Sequence, residues 1–423
     1  MSSQGFHYQN NTLYADDVPL DQLGRDHGTP LYIYSASLIR DNIRRLRDAL
    51  GDDVLIAYAA KANTNGSILS LMAQDGLGAD VVSGGELLRA LRAGIKADKI
   101  VFSGVGKTDD EIALAIENKI AQINIESGAE LERIMAVATE MLPAGQSVPV
   151  AFRLNPDVET EMTHAKISTG HGRSKFGMPA GEILGLYKDA AKHPSITPVG
   201  LSAHIGSQLT ALDPLRDAFH RLADLAGHIR GFAPVECLDF GGGLGIVYTD
   251  EQPVDLSGYA ALVRDILAPL KTRLITEPGR FLVGNAGVLL SQVIHVKSTP
   301  NGPILILDAG MNDLMRPALY DAVHTILPVQ EWNDAKTSYD VAGPVCESSD
   351  VFLRDVKMAT PKRGDMMALM NAGAYGLTMA GTYNSRPIPA EILVDGERSA
   401  VIRQRQNIDD ITRDERTPDW LAA

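Results

Sequence analysis

Between residues 54 and 276 the chain carries eight short apolar runs: Val54–Ala60, Ala79–Val82, Ile100–Ser103, Gln122–Ile125, Val148–Leu154, Val199–His204, Cys237–Phe240 and Arg273–Thr276. Most are separated by a longer stretch whose apolar residues recur at helical spacing, such as Gly85–Ala93 and Asp109–Glu117. Eight strands, each followed by a helix, is the pattern of a (β/α)8 barrel. A doubly wound open sheet is the structural alternative.

After residue 280 the texture changes. Gly287–Val296, Pro303–Leu307, Asp365–Met370 and Glu391–Val394 are short, apolar or alternating, and separated by Gly, Pro, Asn and Asp. They predict a mostly β domain. Thr12–Tyr14 and Leu31–Tyr34 are strand-like and either join that domain or lead into the barrel. The expected division is a barrel over residues 35–280 and a β domain from 1–34 plus 281–423. Two domains also suit the length, since 423 residues exceed one ordinary core. Three connections, Asn155–Gly177, Gly241–Leu256 and Met311–Asp340, are long enough to suggest function, and the first reads either as a lid or as a solvated insertion.

Composition narrows the partners. With 45% hydrophobic and 22% charged residues the chain is a folded globular one. Its net charge is -14 and it has no Lys/Arg-rich run, which argues against nucleic acid and anionic membrane. A local group of arginines can still receive an anionic substrate. Two cysteines without a CxxC spacing give neither a disulfide framework nor a zinc site, and no metal is expected. No apolar run approaches the ~18 residues of a spanning helix, and the N-terminal residues lack a signal pattern. The expectation is a soluble, cytoplasmic protein.

In a barrel the reactive groups sit at the C-terminal ends of the strands. Reading those ends gives Lys61, Ser83, Arg153, His204, Gly241–Gly243, Glu277 and Arg280. Lys61 follows the first run in Ala57-Tyr58-Ala59-Ala60-Lys61, where small apolar neighbours would desolvate the amine and favour the neutral form that attacks an aldehyde. A snorkelling surface lysine is the plainer alternative. Gly241-Gly242-Gly243 ends the seventh run and lets backbone N–H groups converge on an anion, or simply forms a tight turn. Its spacing is not the dinucleotide fingerprint. Glu277, in Glu277-Pro278-Gly279-Arg280, needs a cation or a shared proton if buried; a protonated pyridine nitrogen meets that need, and so does an internal arginine. His204 ends the sixth run, where a ring can stack on a planar cofactor, although a lone histidine is more often a satisfied core residue.

YAAKAN, AHIGSQ, DFGGGLGI, EPGR, MRPALYDAVH, GPVCESSD and NAGAYG occur in this order across nearly the whole chain. Together they resemble the diaminopimelate decarboxylases, fold-type III pyridoxal-phosphate enzymes alongside the ornithine and arginine decarboxylases. The resemblance implies that Lys61 carries pyridoxal phosphate as a Schiff base and that Glu277 holds the pyridine nitrogen. Gly241, Gly242, Gly243 and the Gly279–Arg280 backbone, with Ser207, would take the phosphate. His204 would lie against the ring, and Tyr375 would contact both cofactor and substrate. Arg280, Arg316 and Tyr320 would hold the substrate carboxylate distant from the reacting carbon. Cys346 would donate a proton and Glu347 would grip the remote ammonium, both from the second subunit of a homodimer. The implied reaction converts meso-2,6-diaminopimelate to L-lysine and CO2, the last step of lysine biosynthesis.

Chemistry supports that substrate class. A diamino dicarboxylic acid ends in a carboxylate and an ammonium, and therefore needs arginine plus an acid, which Arg280, Arg316 and Glu347 supply. Ornithine, arginine or carboxynorspermidine decarboxylases are the nearest alternatives. A racemase would need two opposed bases, and a non-catalytic pyridoxal-phosphate carrier would leave the residues after Arg280 without a purpose. Cys237, mid-strand, reads as a small buried hydrophobe, whereas Cys346 lies beside Glu347 and Asp350, which would keep its thiol protonated.

Overall fold

The computed structural model describes residues 5–158, 174–332 and 334–421, so most of the Asn155–Gly177 connection lies outside the described residues. Two compact units are present: Arg40–Gly284, and Met1–Ile39 with Asn285–Ala423.

In the first unit eight parallel strands close into a barrel: Val54–Ala59, Gly78–Val81, Ile100–Phe102, Gln122–Ile125, Val148–Leu154, Ile196–Ala203, Cys237–Asp239 and Arg273–Thr276. Closure is made where Leu274, Ile275 and Thr276 pair with Val54, Leu55 and Ile56. The (β/α)8 reading holds and the open sheet does not. The sixth strand starts at Ile196 rather than Val199, and Phe240 has already left the seventh.

Polar residues after the strands turn the chain into the outer helices. Asn65, Ser83, Thr108 and Ser127 each accept a backbone N–H in the first turn of the helix that follows, and Thr108 with Glu111 completes a capping box. Inside the barrel Ala57, Val101, Cys237 and Ile275 form an apolar cluster. Cys237 is 1% exposed and burial pushes its thiol up to about 12, so it is a packing residue as expected.

The second unit is built on a nine-stranded sheet. Its main path runs Val351–Ala359, Lys336–Ala342, Gly302–Leu307, Gly287–Thr299, Leu31–Ser35, Ala390–Asp395 and Arg398–Arg403, with Ile326–Pro328 and Met366–Leu369 joined at the side. Leu31–Ser35 therefore belongs to this sheet, paired with Gly287–Thr299 on one edge and Ala390–Asp395 on the other. Leu13, Leu23, Leu31, Ile33, Val288, Leu290, Ala368 and Ile392 make the centre of its core. The long connection Met311–Asp340 contains elements of its own: a short helix Arg316–Tyr320, the strand Ile326–Pro328, and the start of the strand at Lys336. Among the described residues no helix is long and apolar enough to cross a membrane.

Candidate active site

Lys61 sits in a single 3-10 turn, Ala60–Ala62, at the end of the first barrel strand. Ala59, Ala60 and Ala62 are buried, as the flanking sequence implies, but the lysine side chain is 36% exposed. Its Nζ lies 3.1 Å from Oδ2 of Asp80, whose side chain is fully buried on the second strand. The amine is thus held by a carboxylate rather than only desolvated. Asp80 reaches it because the parallel register sets Asp80 opposite Ala59.

A buried polar network crosses the strand ends beside this pair. Gln122 Nε2 donates to Asn124 Oδ1 at 2.9 Å, and Asn124 Nδ2 donates to Ser103 Oγ at 3.1 Å and to Asp239 Oδ2 at 3.3 Å. Ser103 Oγ in turn lies 3.4 Å from Glu277 Oε1. Asp239 is 0% and Glu277 8% exposed, so two acids are buried side by side in this network. Burial, then the neighbouring Asp239 and Asp80, hold the Glu277 carboxyl well above the usual range; burial raises Asp239 to about 6. The internal Glu277–arginine pair that the sequence left open is not the arrangement here: the neighbour of Glu277 is another acid. Such a cluster favours whatever brings positive charge into it.

The glycine run welds three strand ends together. A Cβ on Gly242 would stand 2.0 Å from the Glu277 carbonyl oxygen, and one on Gly243 would stand 2.6 Å from that of Gly206, while φ is +103°. Backbone bonds complete the weld: Glu277 N–H to Gly241 O, Leu209 N–H to Gly243 O, and Ala59 N–H to Pro278 O. Two of the three glycine N–H groups are already engaged, Gly241 with Asp239 Oδ1 at 3.0 Å and Gly242 with His204 Nδ1 at 3.2 Å. Among the described residues it is Gly243 whose N–H has no partner. The run is therefore chiefly a packing device, with one N–H rather than three to offer an anion.

Because Gly242 donates to Nδ1, the neutral His204 ring carries its proton on Nε2. Burial and the cations Lys61 and Arg153 push its pKa well below the usual value, which keeps the ring uncharged. Arg280 is 5% exposed, and its guanidinium donates to Tyr248 OH at 2.7 Å and Ser207 Oγ at 3.0 Å. Two residues taken from strand ends have other duties. Ser83 accepts the Glu86 N–H as a helix cap, and Arg153 pairs with Glu126 at 2.7 Å beneath Phe176. Beside it Lys107 and Glu130 form a second buried pair at 3.0 Å.

In the other unit Arg316 is 5% exposed and its Nη1 lies 2.8 Å from His324 Nε2. Tyr320 ends the same short helix and is half-buried. Tyr375 stands at a φ of +55° in the Asn371–Gly376 turn. Cys346 and Glu347 lie on an exposed turn: the Cys346 N–H donates to Asn384 Oδ1 at 2.8 Å and Tyr383 OH to Glu347 Oε2 at 3.4 Å. Asp350, expected to act on the thiol, is instead buried, accepting the N–H groups of Met311 and Val345 at 2.7 Å each.

Residues 36–284 match the family model described as pyridoxal-dependent decarboxylase, pyridoxal binding domain. Fold and site thus define a pyridoxal-phosphate-dependent carboxy-lyase of fold type III. Diaminopimelate decarboxylase of Zymomonas mobilis is 46% identical over 98% of this chain and 99% of its own. Among solved structures, that of diaminopimelate decarboxylase from M. jannaschii with L-lysine superposes with a TM-score of 0.93 at 37% identity, covering 100% of both chains. The Helicobacter pylori enzyme with L-lysine gives 0.89 at 40%, covering 93% of this chain and 98% of its own. The chain belongs to the diaminopimelate decarboxylase family.

The barrel residues fit the cofactor. Glu277 with Asp239 offers a buried proton-sharing acid for a pyridine nitrogen, and Lys61 offers the amine. Ser207, which accepts from Arg280, follows Gly206, whose carbonyl oxygen packs against Gly243. Ser202 Oγ and Asp80 Oδ1 are buried without a partner among the described residues, which marks this mouth as one shaped around a further polar group.

Proposed function

We propose that this chain decarboxylates meso-2,6-diaminopimelate to L-lysine and CO2, and that the residues at the barrel mouth and in the β unit divide the work. The observation that carries the reading is the pair of buried acids Glu277 and Asp239 beside the Lys61–Asp80 pair: acid for a ring nitrogen next to an amine held at the strand end. Pyridoxal phosphate, when bound, supplies the electron sink for the pair of electrons that carbon dioxide leaves behind.

Lys61 Nζ is the attachment point, with Asp80 holding it in place. Glu277 would yield its proton to the pyridine nitrogen and, as the carboxylate, hold it there. His204 presents an uncharged ring whose plane is fixed by the Gly242 N–H. Ser207, the Gly243 N–H and the Gly279–Arg280 backbone hold the phosphate. Arg280, Arg316 and Tyr320 bind the distal carboxylate, and Tyr375 contacts cofactor and substrate together. Cys346 delivers the proton to the carbon that has lost CO2, and Glu347 receives the distal ammonium.

Exposure of both Cys346 and Glu347 on one turn supports their service to a partner subunit, in a homodimer that works in the cytoplasm. Carbon dioxide release by the purified holoprotein, measured on diaminopimelate, ornithine and arginine, tests the reading. Turnover should be confined to diaminopimelate, with stoichiometric lysine; preference for a monocarboxylate would reject the substrate assignment.

A further inference from the structure

Arg316 opens a five-residue helix with Pro317 in its first turn, and the helix ends where Asp321 adopts a left-handed φ of 53°. That reversal returns the chain so that His324 lies against Arg316, Nε2 to Nη1 at 2.8 Å. The other ring nitrogen, Nδ1, is 2.9 Å from the Met370 carbonyl oxygen. These two partners leave the ring no choice of tautomer. A guanidinium only donates and a carbonyl only accepts, so Nδ1 carries the proton and Nε2 offers its lone pair. His324 is 1% exposed.

The position of this ring is set by β pairing. His324 stands just before the strand Ile326–Pro328, and Met370 just after Met366–Leu369; Ile326 pairs with Leu369, and the Met370 N–H donates to Thr325 O at 2.8 Å. The ring-to-carbonyl bond is therefore one more rung on that ladder. Beyond Met370 comes the turn with Asn371 and Tyr375 at positive φ, 58° and 55°. One buried imidazole thus ties Arg316 to the root of the segment that bears Tyr375.

We propose that His324 is a positioning residue for the distal carboxylate of the substrate, a neutral acceptor that fixes the Arg316 guanidinium without itself bringing a competing negative charge. The inference rests on the reading of Arg316 given above. A long arginine loses rotamer freedom when it grips a ligand, and an acceptor that orders it beforehand removes that cost from binding. Carboxylate, the commoner partner of a buried arginine, would do the ordering but compete with the incoming carboxylate for the same planar fork. Imidazole in the tautomer seen here orders the fork and adds no negative charge of its own.

The test is calorimetric titration of the holoenzyme with two ligands. L-Lysine keeps the carboxylate that Arg316 is proposed to hold; 1,5-diaminopentane is the same chain without it. His324→Leu should weaken lysine about tenfold or more and leave the diamine within about twofold. His324→Gln, whose Oε1 can take the place of Nε2 as acceptor, should recover most of the lysine affinity. His324→Glu keeps an acceptor but adds the competing charge, so it should bind lysine worse than His324→Gln; this arm does not depend on the leucine variant folding. Equal weakening of both ligands by the leucine variant, or glutamate matching glutamine, would overturn the proposal. Arg316→Gln separates the two readings. If it leaves lysine affinity intact, the role of Arg316 itself is wrong. If it abolishes that affinity while His324→Leu does not, only the positioning role of His324 fails.

Discussion

The barrel mouth around Lys61 and the short helix of Arg316 hold their buried cations differently. At the barrel mouth three cations are matched with acids, Lys61 with Asp80, Lys107 with Glu130 and Arg153 with Glu126, while Arg280 donates to hydroxyls. An excess of acid then collects at Asp239 and Glu277. In the β unit Arg316 is equally buried, yet the partner described for it is a neutral ring. Cys346 and Glu347 remain exposed on their turn. The difference follows from what each place receives. On the proposed reading, a permanently held cofactor rewards a stiff, charge-compensated socket, whereas a substrate that enters and leaves is better met by an arginine ordered by a neutral acceptor.

The largest effect tests the stiff side. Lys61→Ala should lower kcat by on the order of 10^4-fold or more, as removal of a covalent group does, and should eliminate the borohydride-trappable link between chain and cofactor. Mixing that variant with Cys346→Ala tests the exposed side: random refolding into two-fold dimers should return about 25% of wild-type activity if the thiol serves the partner subunit. Heterodimers without recovered activity would show that each chain uses its own cysteine.

Glu277→Gln should retain cofactor but lose about 10^2–10^3-fold in kcat, the scale of one preorganised electrostatic partner. Wild-type turnover would reduce Glu277 to a structural role.

Asp239→Asn probes the excess acid through stability. The native state holds the Asp239 proton up to about pH 6, whereas the unfolded chain releases it near the ordinary aspartate value. The folded state therefore binds more protons in that interval, and stability falls as pH rises through it. Between about pH 4 and 6 the apoprotein should lose on the order of 3 kcal/mol more than the Asp239→Asn variant. Denaturant melts of both at a series of pH values measure this; parallel curves would mean that Asp239 is not strained by burial.

The smallest effect is expected at Ser83, where the alanine variant should cost about 1 kcal/mol as a lost cap and leave kcat/KM unchanged. A kinetic defect would return Ser83 to the site.

How much of this was readable beforehand depends on whether the signal was local. Eight apolar runs announce the barrel, and Lys61, His204 and Glu277 announce themselves by standing at run ends. Asp80 did not, because its contact with Lys61 is set by strand register, which no single run encodes. Asp239 was in view but read only for the glycines after it. Ser83 was misread although Glu86 three residues on is the capping signature. His324 lies inside a motif already singled out, yet its pairing with Arg316 depends on a left-handed turn at Asp321 that sequence does not declare.

The weld at Gly241–Gly243 has a bearing on how such an enzyme can change over time. With the Gly242 Cβ position 2.0 Å from one carbonyl and that of Gly243 2.6 Å from another, no side chain can be tried there without parting the segments that carry Gly206 and Glu277. The barrel mouth is in this sense closed to gradual experiment. On the proposed reading, exploration of new substrates is left to the β unit, where Arg316, Tyr320, Glu347 and their surroundings can vary one residue at a time while the cofactor socket stays as it is. A lineage of this architecture would diversify in what it accepts long before it altered the chemistry it performs.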